Sequence, residues 1–153
     1  MNKFILFISS GFGVGYIKYA PGTFGSLVGV ICWVLFVPTI VSFHIFALLS
    51  ITFISVSFAS FAQNIYKTKD DKRIVVDEIA GMWFSVAFLP KSLLMILLAF
   101  VFFRVLDIKK PWFIGKSQEL KSGIGITADD ILSGIVVNIT LQIVKFAIFA
   151  IHN

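Results

Sequence analysis

Two adjacent carboxylate pairs stand beside apolar runs in this chain. Asp77-Glu78 lies between Ile74–Val76 and Ile79-Ala80-Gly81, and Asp129-Asp130 leads directly into the apolar run Ile131–Ala150. A carboxylate at the mouth of an apolar helix is costly unless it is paired or metal-bound, so Asp77 and Glu78 read as functional. Asp129 and Asp130 suit the positive end of a following helix dipole, which is the plain structural account. They equally form a hard oxygen site of the kind that takes magnesium. Between the pairs, Arg104, Asp107 and Lys110 recur every third residue, which on a helix puts a carboxylate between two cations on one face. That face suits phosphate and metal together; a structural ion pair is the plainer alternative. Upstream, Tyr19–Ser26 joins a Pro21-Gly22 turn to Thr23 and Ser26, either of which can cap the helix that follows. A helix N-terminus with free N–H groups and small residues is an anion site as well as an ordinary cap.

Other chemistries are poorly supplied. The only histidines, His44 and His152, lie away from the acidic segments, and the single Cys32 sits in an apolar run where a buried structural thiol is expected. That argues against histidine and cysteine phosphatases and against a zinc cluster. Gly11-Phe12-Gly13-Val14-Gly15 does not follow a strand in a βαβ unit, so a dinucleotide fingerprint is not expected. Asp70 and Asp71, among Lys67, Lys69, Lys72 and Arg73, read as a solvated loop. The remaining set of carboxylates, an arginine, lysines and hydroxyls suits divalent-metal transfer of a phosphoryl group to water.

The elements that must hold these residues are set by composition. Of 153 residues, 58% are apolar and 14% charged, with 18 Phe, and mean hydropathy is +0.97. A soluble domain of this size carries charge on nearly a quarter of its residues, so lipid must replace water around part of this one. The length suits one domain, 1–153. The net charge of +5 forms no basic helix face or arm, which sets nucleic acid aside. Phe4–Ile8 is too short for a signal-peptide core, leaving the spans themselves to direct insertion.

Phe24–Val41, Phe43–Ala62 and Ile131–Ala150 read as spans, the last interrupted by Lys145. Ile79–Leu89 and Leu93–Phe103, separated by Pro90-Lys91-Ser92, are each too short to cross. They form either a re-entrant hairpin or two helices that extend into Asp77-Glu78 and Arg104-Asp107. The expected fold is therefore an all-α, polytopic helical bundle with about five membrane-inserted helices and active-site loops on one face. Either solution places all eight acidic residues on one side, with every basic residue except Lys91 and Lys145. By the positive-inside rule that side is the cytoplasm.

At these residues the chain resembles the phosphatidylglycerophosphatase A family of bacterial lipid phosphatases. The matching pieces are APGTFGSL (Ala20–Leu27), IVVDEIAGMW (Ile74–Trp83), FRVLDIKKPW (Phe103–Trp112) and GIGITADDILSG (Gly123–Gly134), in the family's order and spacing. The resemblance implies a Mg²⁺-dependent, all-helical enzyme of the bacterial cytoplasmic (inner) membrane. It would convert phosphatidylglycerophosphate to phosphatidylglycerol and phosphate at the cytoplasmic face. It makes Asp77, Glu78, Asp107, Asp129 and Asp130 metal and general-base carboxylates. Arg104 and Lys110 become phosphate ligands, assisted by Gly22, Thr23 and Ser26. Attack by water, with Glu78 as base, and a phospho-aspartyl intermediate on Asp77 or Asp107 both fit, and no oligomeric state follows. The rival class is a transport or ion-coupling protein, because intramembrane charges also mark ion paths. Such a path needs polar groups through the whole bilayer, whereas mid-span polarity here is mainly Ser, Thr and Asn138.

Overall fold

The computed structural model describes residues 1–68, 71–120 and 122–151, apart from the side chains of residues 112, 113, 118, 119 and 151. The elements are α1 (Asn2–Ser9), a 3₁₀ turn at Val14–Tyr16, α2 (Pro21–Phe36), α3 (Val41–Tyr66), α4 (Val76–Val86) and α5 (Leu93–Lys109). They continue with α6 (Trp112–Gly115), a second 3₁₀ turn at Lys116–Glu119 and α7 (Gly123–Ile151). No strand occurs among the described residues, so the helical class is as expected.

Local chemistry accounts for the boundaries. Pro21 opens α2 at a position where its fixed φ suits a first turn, and the helix stops before Pro38. Ser92 caps α5 by accepting from the Met95 N–H at 3.3 Å. Lys110 ends α5 in the left-handed region, φ 41°, where the following Pro111 prevents continuation.

Among the described residues two helices are long and apolar enough to cross a membrane, α3 and α7, so the expected five inserted helices are matched only in part. Only 28% and 22% of their most apolar windows are buried, so most of that surface faces outward, unlike the core helix of a soluble protein. The expected span at Phe24–Val41 is instead the 16-residue α2, about 24 Å long, because Pro38 shortens it. The middle segment takes the second of its two expected forms. Helix α4 starts at Val76 and carries Asp77 and Glu78 in its first turn, while α5 extends through Arg104 and Asp107. Helix α7 starts at Gly123, well before the expected Ile131, so Asp129 and Asp130 sit in its second turn. A dipole effect fades within the first turn, which removes the plain account of that pair. The acidic residues therefore stand on helix ends rather than in loops.

Helix α4 is the hub, packed against α2, α3, α5 and α7. Its contact with α7 is backbone on backbone: a Cβ on Gly134 would lie 2.2 Å from the Gly81 carbonyl oxygen, and one on Gly81 would lie 2.6 Å from that of Asp130. No larger residue fits at either position, and the pair brings the start of α4 beside Asp130. Trp33, Met82, Phe103, Val137 and Leu141 fill the core below.

At the far end, Lys91 donates to the last carbonyls of α2, those of Trp33, Val34 and Val37. Asn138 donates to the Ser85 and Ala87 carbonyls at 3.1 and 2.6 Å, which closes the C-terminus of α4. His44 also lies at this end, accepting from the Phe88 N–H at 3.1 Å through Nδ1; His152 lies outside the described residues. Cys32 is half-buried rather than buried. Thr52, Ser60, Ser85, Ser133 and Thr140 all donate to carbonyls of their own helices, and Ser55 pairs with Thr127. These seven hydroxyls are thus spent on helix backbone or on each other.

Candidate active site

The ends of α2, α4, α5 and α7 enclose a cavity of about 700 Å³. Asp77 and Glu78 enter it from α4 and Asp130 from α7, each offering an oxygen within 4.8 Å of the others. Asp107 enters from α5 and lies against the Asp130 carboxylate. Arg104 Nη1 donates to Asp107 Oδ2 at 2.6 Å and to Ser26 Oγ at 3.3 Å, and Ser26 donates in turn to the Gly22 carbonyl at 2.9 Å. Lys110 Nζ donates to Asp129 Oδ2 at 2.5 Å and stands 3.8 Å from Asp107 Oδ1. The left-handed turn at Lys110 folds its side chain back to this position.

Gly22 sets the α2 backbone against Glu78 and Arg104. A Cβ there would lie 2.2 Å from Glu78 Oε1 and 3.2 Å from Arg104 Nη2. No side chain caps α2, whose N-cap is Ala20 at φ 50°. The Thr23 and Phe24 amides both bond the Ala20 carbonyl, and Pro21 has no N–H. The Gly22 amide is therefore the first-turn donor left for a ligand.

The electrostatics are set by buried, converging carboxylates. Burial pushes Glu78 up to about 8, and Asp130 and Asp107 push the same way against a hydrogen bond with Asp77 and the Arg104 charge. Glu78 Oε2 is buried with no hydrogen-bond partner. An ionised carboxylate only accepts, so carboxylates packed this closely need a proton or a cation between them. Three converging oxygens and one unpartnered buried one fit a hard divalent ion. Burial alone would lower the Lys110 ammonium, but the Asp129 bond and the neighbouring carboxylates outweigh it and hold Lys110 above its ordinary value.

The structure brings together Gly22, Thr23, Asp77, Glu78, Arg104, Asp107, Lys110 and Asp130 as cavity wall. It separates two expected members from that wall. Asp129, 2% exposed, points to Lys110 and away from the three-carboxylate cluster. Ser26, fully buried, stands behind Arg104 and fixes its guanidinium. One charged cavity residue was not expected, Lys72. Its neighbours in the expected solvated loop are tied down, for Asp71 accepts from the Arg73 backbone and guanidinium. Those bonds hold Asp71 well below the usual carboxylate range. Asp70 lies outside the described residues. The basic run 67–73 was visible in sequence, but not which of its members lines the cavity.

Comparison with known proteins identifies the family. Residues 7–145 match the family model described as Phosphatidylglycerophosphatase A. A Bacteroides thetaiotaomicron protein, named provisionally as a phosphatidylinositol-3-phosphatase, is 32% identical over 149 residues, covering 92% of this chain and 93% of that one. The Phosphatidylglycerophosphatase A of Escherichia coli K12 is 32% identical over 133 residues, covering 84% and 76%. That of Haemophilus influenzae is 35% identical over 147 residues, covering 91% and 87%. No solved structure matches the chain. With a family match over nearly its whole length and relatives at this identity, the chain belongs to the Phosphatidylglycerophosphatase A family of phosphatases.

Proposed function

We propose that the chain hydrolyses the terminal phosphate monoester of phosphatidylglycerophosphate, with Mg²⁺, at the cytoplasmic face of the bacterial inner membrane. The observation that carries this is the cavity itself, where three converging carboxylates face two cations in a chain of this family. The membrane assignment rests on α3 and α7 as crossing helices and on the one-sided distribution of charge.

Asp77, Glu78 and Asp130 would hold the magnesium, with Asp107 beside them. When bound, the ion would supply a Lewis acid toward phosphate oxygens and a lowered pKa for an attacking water. The chain's own residues do the rest. Arg104 and Lys110 balance charge on the transferring phosphoryl group, and the Gly22 amide donates to one of its oxygens. Ser26 fixes Arg104 and Asp129 fixes Lys110, so both cations are aimed before substrate arrives. Glu78 holds a proton up to about 8, so it can serve as the base only once that proton has left. Asp107 already meets Arg104 and Lys110, one at each oxygen, which ties it down as a nucleophile and favours attack by water.

The test is phosphate release by purified protein from phosphatidylglycerophosphate in mixed micelles, with Mg²⁺ or with chelator. Release that requires the metal is the expected result; no release from this lipid overturns the assignment. The provisional name of the Bacteroides relative makes phosphatidylinositol 3-phosphate the comparison substrate, and faster release from it would move the specificity there.

A further inference from the structure

The cavity is larger than one phosphate needs. Its volume of about 700 Å³ lies within the roughly 300–1,000 Å³ of pockets that enclose whole ligands. Three cations line it, and two are already committed, Arg104 to Asp107 and Lys110 to Asp129. Lys72 makes no ion pair among the described residues.

Its position is built, although its side chain is exposed. Asp71 Oδ1 accepts from the Arg73 amide at 3.0 Å and from Nε at 2.8 Å, while Oδ2 accepts from Nη2 at 2.8 Å and from Thr68 at 3.1 Å. The Arg73 guanidinium lies 3.8 Å over the Tyr66 ring, and Tyr66 bonds Tyr16 at 2.9 Å. The Arg73 carbonyl presses on Gly15, where a Cβ would stand only 2.2 Å away. Residues 71 and 73 are thus pinned to the end of α3 and to the first 3₁₀ turn, and Lys72 between them is left to line the cavity.

We infer that Lys72 is a specificity residue that binds the inner phosphodiester of the lipid while the carboxylate end takes the terminal monoester. The inference rests on the phosphatase reading above. A lipid with both groups would then be held at two anionic points, and one with only a monoester at one. Phosphatidylglycerol, the product, keeps the diester and should bind through Lys72; inorganic phosphate should not.

The experiment compares native protein with Lys72→Gln and Lys72→Arg in mixed micelles, measuring phosphate release and its inhibition by phosphatidylglycerol and by inorganic phosphate. The expected result for Lys72→Gln is a KM for phosphatidylglycerophosphate raised roughly tenfold, the worth of one charge-assisted contact, with kcat changed far less. Inhibition by phosphatidylglycerol should weaken by a similar factor, inhibition by phosphate should hold, and Lys72→Arg should restore both. An unchanged KM, or equal weakening of both inhibitors, overturns the inference while the phosphatase reading stands. No phosphate release by the native protein overturns the reading beneath it and this one together.

Discussion

Gly22→Ala tests the site with the smallest possible change. The added Cβ would stand 2.2 Å from Glu78 Oε1, and ordinary contact begins at 3.4 Å, so 3.4 − 2.2 = 1.2 Å of movement is required. The group that moves is the tip of a flexible side chain, which yields at little cost to the fold. Alanine is also the better helix former, by about 0.4–1 kcal/mol. Stability should therefore stay level or rise slightly. Activity should not: misplacing a catalytic group by about 1 Å costs on the order of 10²-fold. The displaced carboxylate should also weaken Mg²⁺ binding. Gly25→Ala is the control, since its Cβ would meet Val75 Cβ at 2.7 Å and no carboxylate. There the clash is with a stiff β-branched side chain, so stability should fall by roughly 1–3 kcal/mol while activity per folded molecule holds. The assays are phosphate release and thermal unfolding of both variants in the same detergent. If Gly22→Ala keeps more than a tenth of native turnover, or loses activity only in step with unfolding, the placement of Glu78 beside the α2 backbone does not matter to catalysis.

The two aspartates of α7 should separate. Asp130→Asn removes a cluster oxygen and should lower turnover by about 10²–10³-fold with weaker Mg²⁺ binding. Asp129→Asn only loosens Lys110 and should cost about 10–100-fold; the reverse ranking in phosphate-release assays would contradict the geometry. For pH, Glu78 is raised from 4.5 to about 8, so its contribution to folding is full below about 4.5 and lost as pH rises through 8. Mg²⁺ must displace that proton: calorimetry in two buffers should show proton release at pH 7 that falls as pH rises past 8, with Glu78→Gln lowering the release at pH 7. Asn138→Leu strands two carbonyls at the end of α4 and should destabilise by roughly 1–3 kcal/mol, read by denaturant unfolding.

The motif residues were legible because burying charge beside apolar sequence is costly enough to stand out. Asp77-Glu78 and the Arg104, Asp107, Lys110 spacing needed only helical periodicity to be read. What stayed hidden depended on contacts distant in sequence. Nothing local separates Asp129 from Asp130, since neighbouring residues on a helix differ by about 100° and only the neighbours of α7 decide which faces the cavity. Ser26 looked like a cap and is a brace, because Arg104 arrives from a helix 78 positions away. Lys72 looked solvated and its side chain is exposed; what the sequence hid is that Arg73 beside it packs on Gly15 and Tyr66, which places Lys72 along the cavity. The expected count of about five inserted helices is met only in part: α3 and α7 pass by length and composition, whereas Pro38 and the Pro90 break keep α2, α4 and α5 short.

The placement of the carboxylates links stability to catalysis. Gly81 and Gly134 bring α4 and α7 into backbone contact, and that contact sets Asp77 and Glu78 near Asp130 whether or not a cation is present. Burial first, and then the like charges of Asp130 and Asp107, oppose ionisation here, and Glu78 answers by keeping a proton to about 8. A divalent ion would remove both the repulsion and the unpartnered Oε2, so loading should stabilise the fold as RT ln(1 + [Mg²⁺]/Kd). Gly134→Ala offers the converse: its Cβ would clash with a carbonyl at 2.2 Å, so α4 and α7 must separate. Mg²⁺ affinity and unfolding temperature should then fall together in this variant, whereas Glu78→Gln should lose the affinity and raise the metal-free stability above pH 8. If both variants shift the two quantities in the same direction, the carboxylates are not held against their own repulsion.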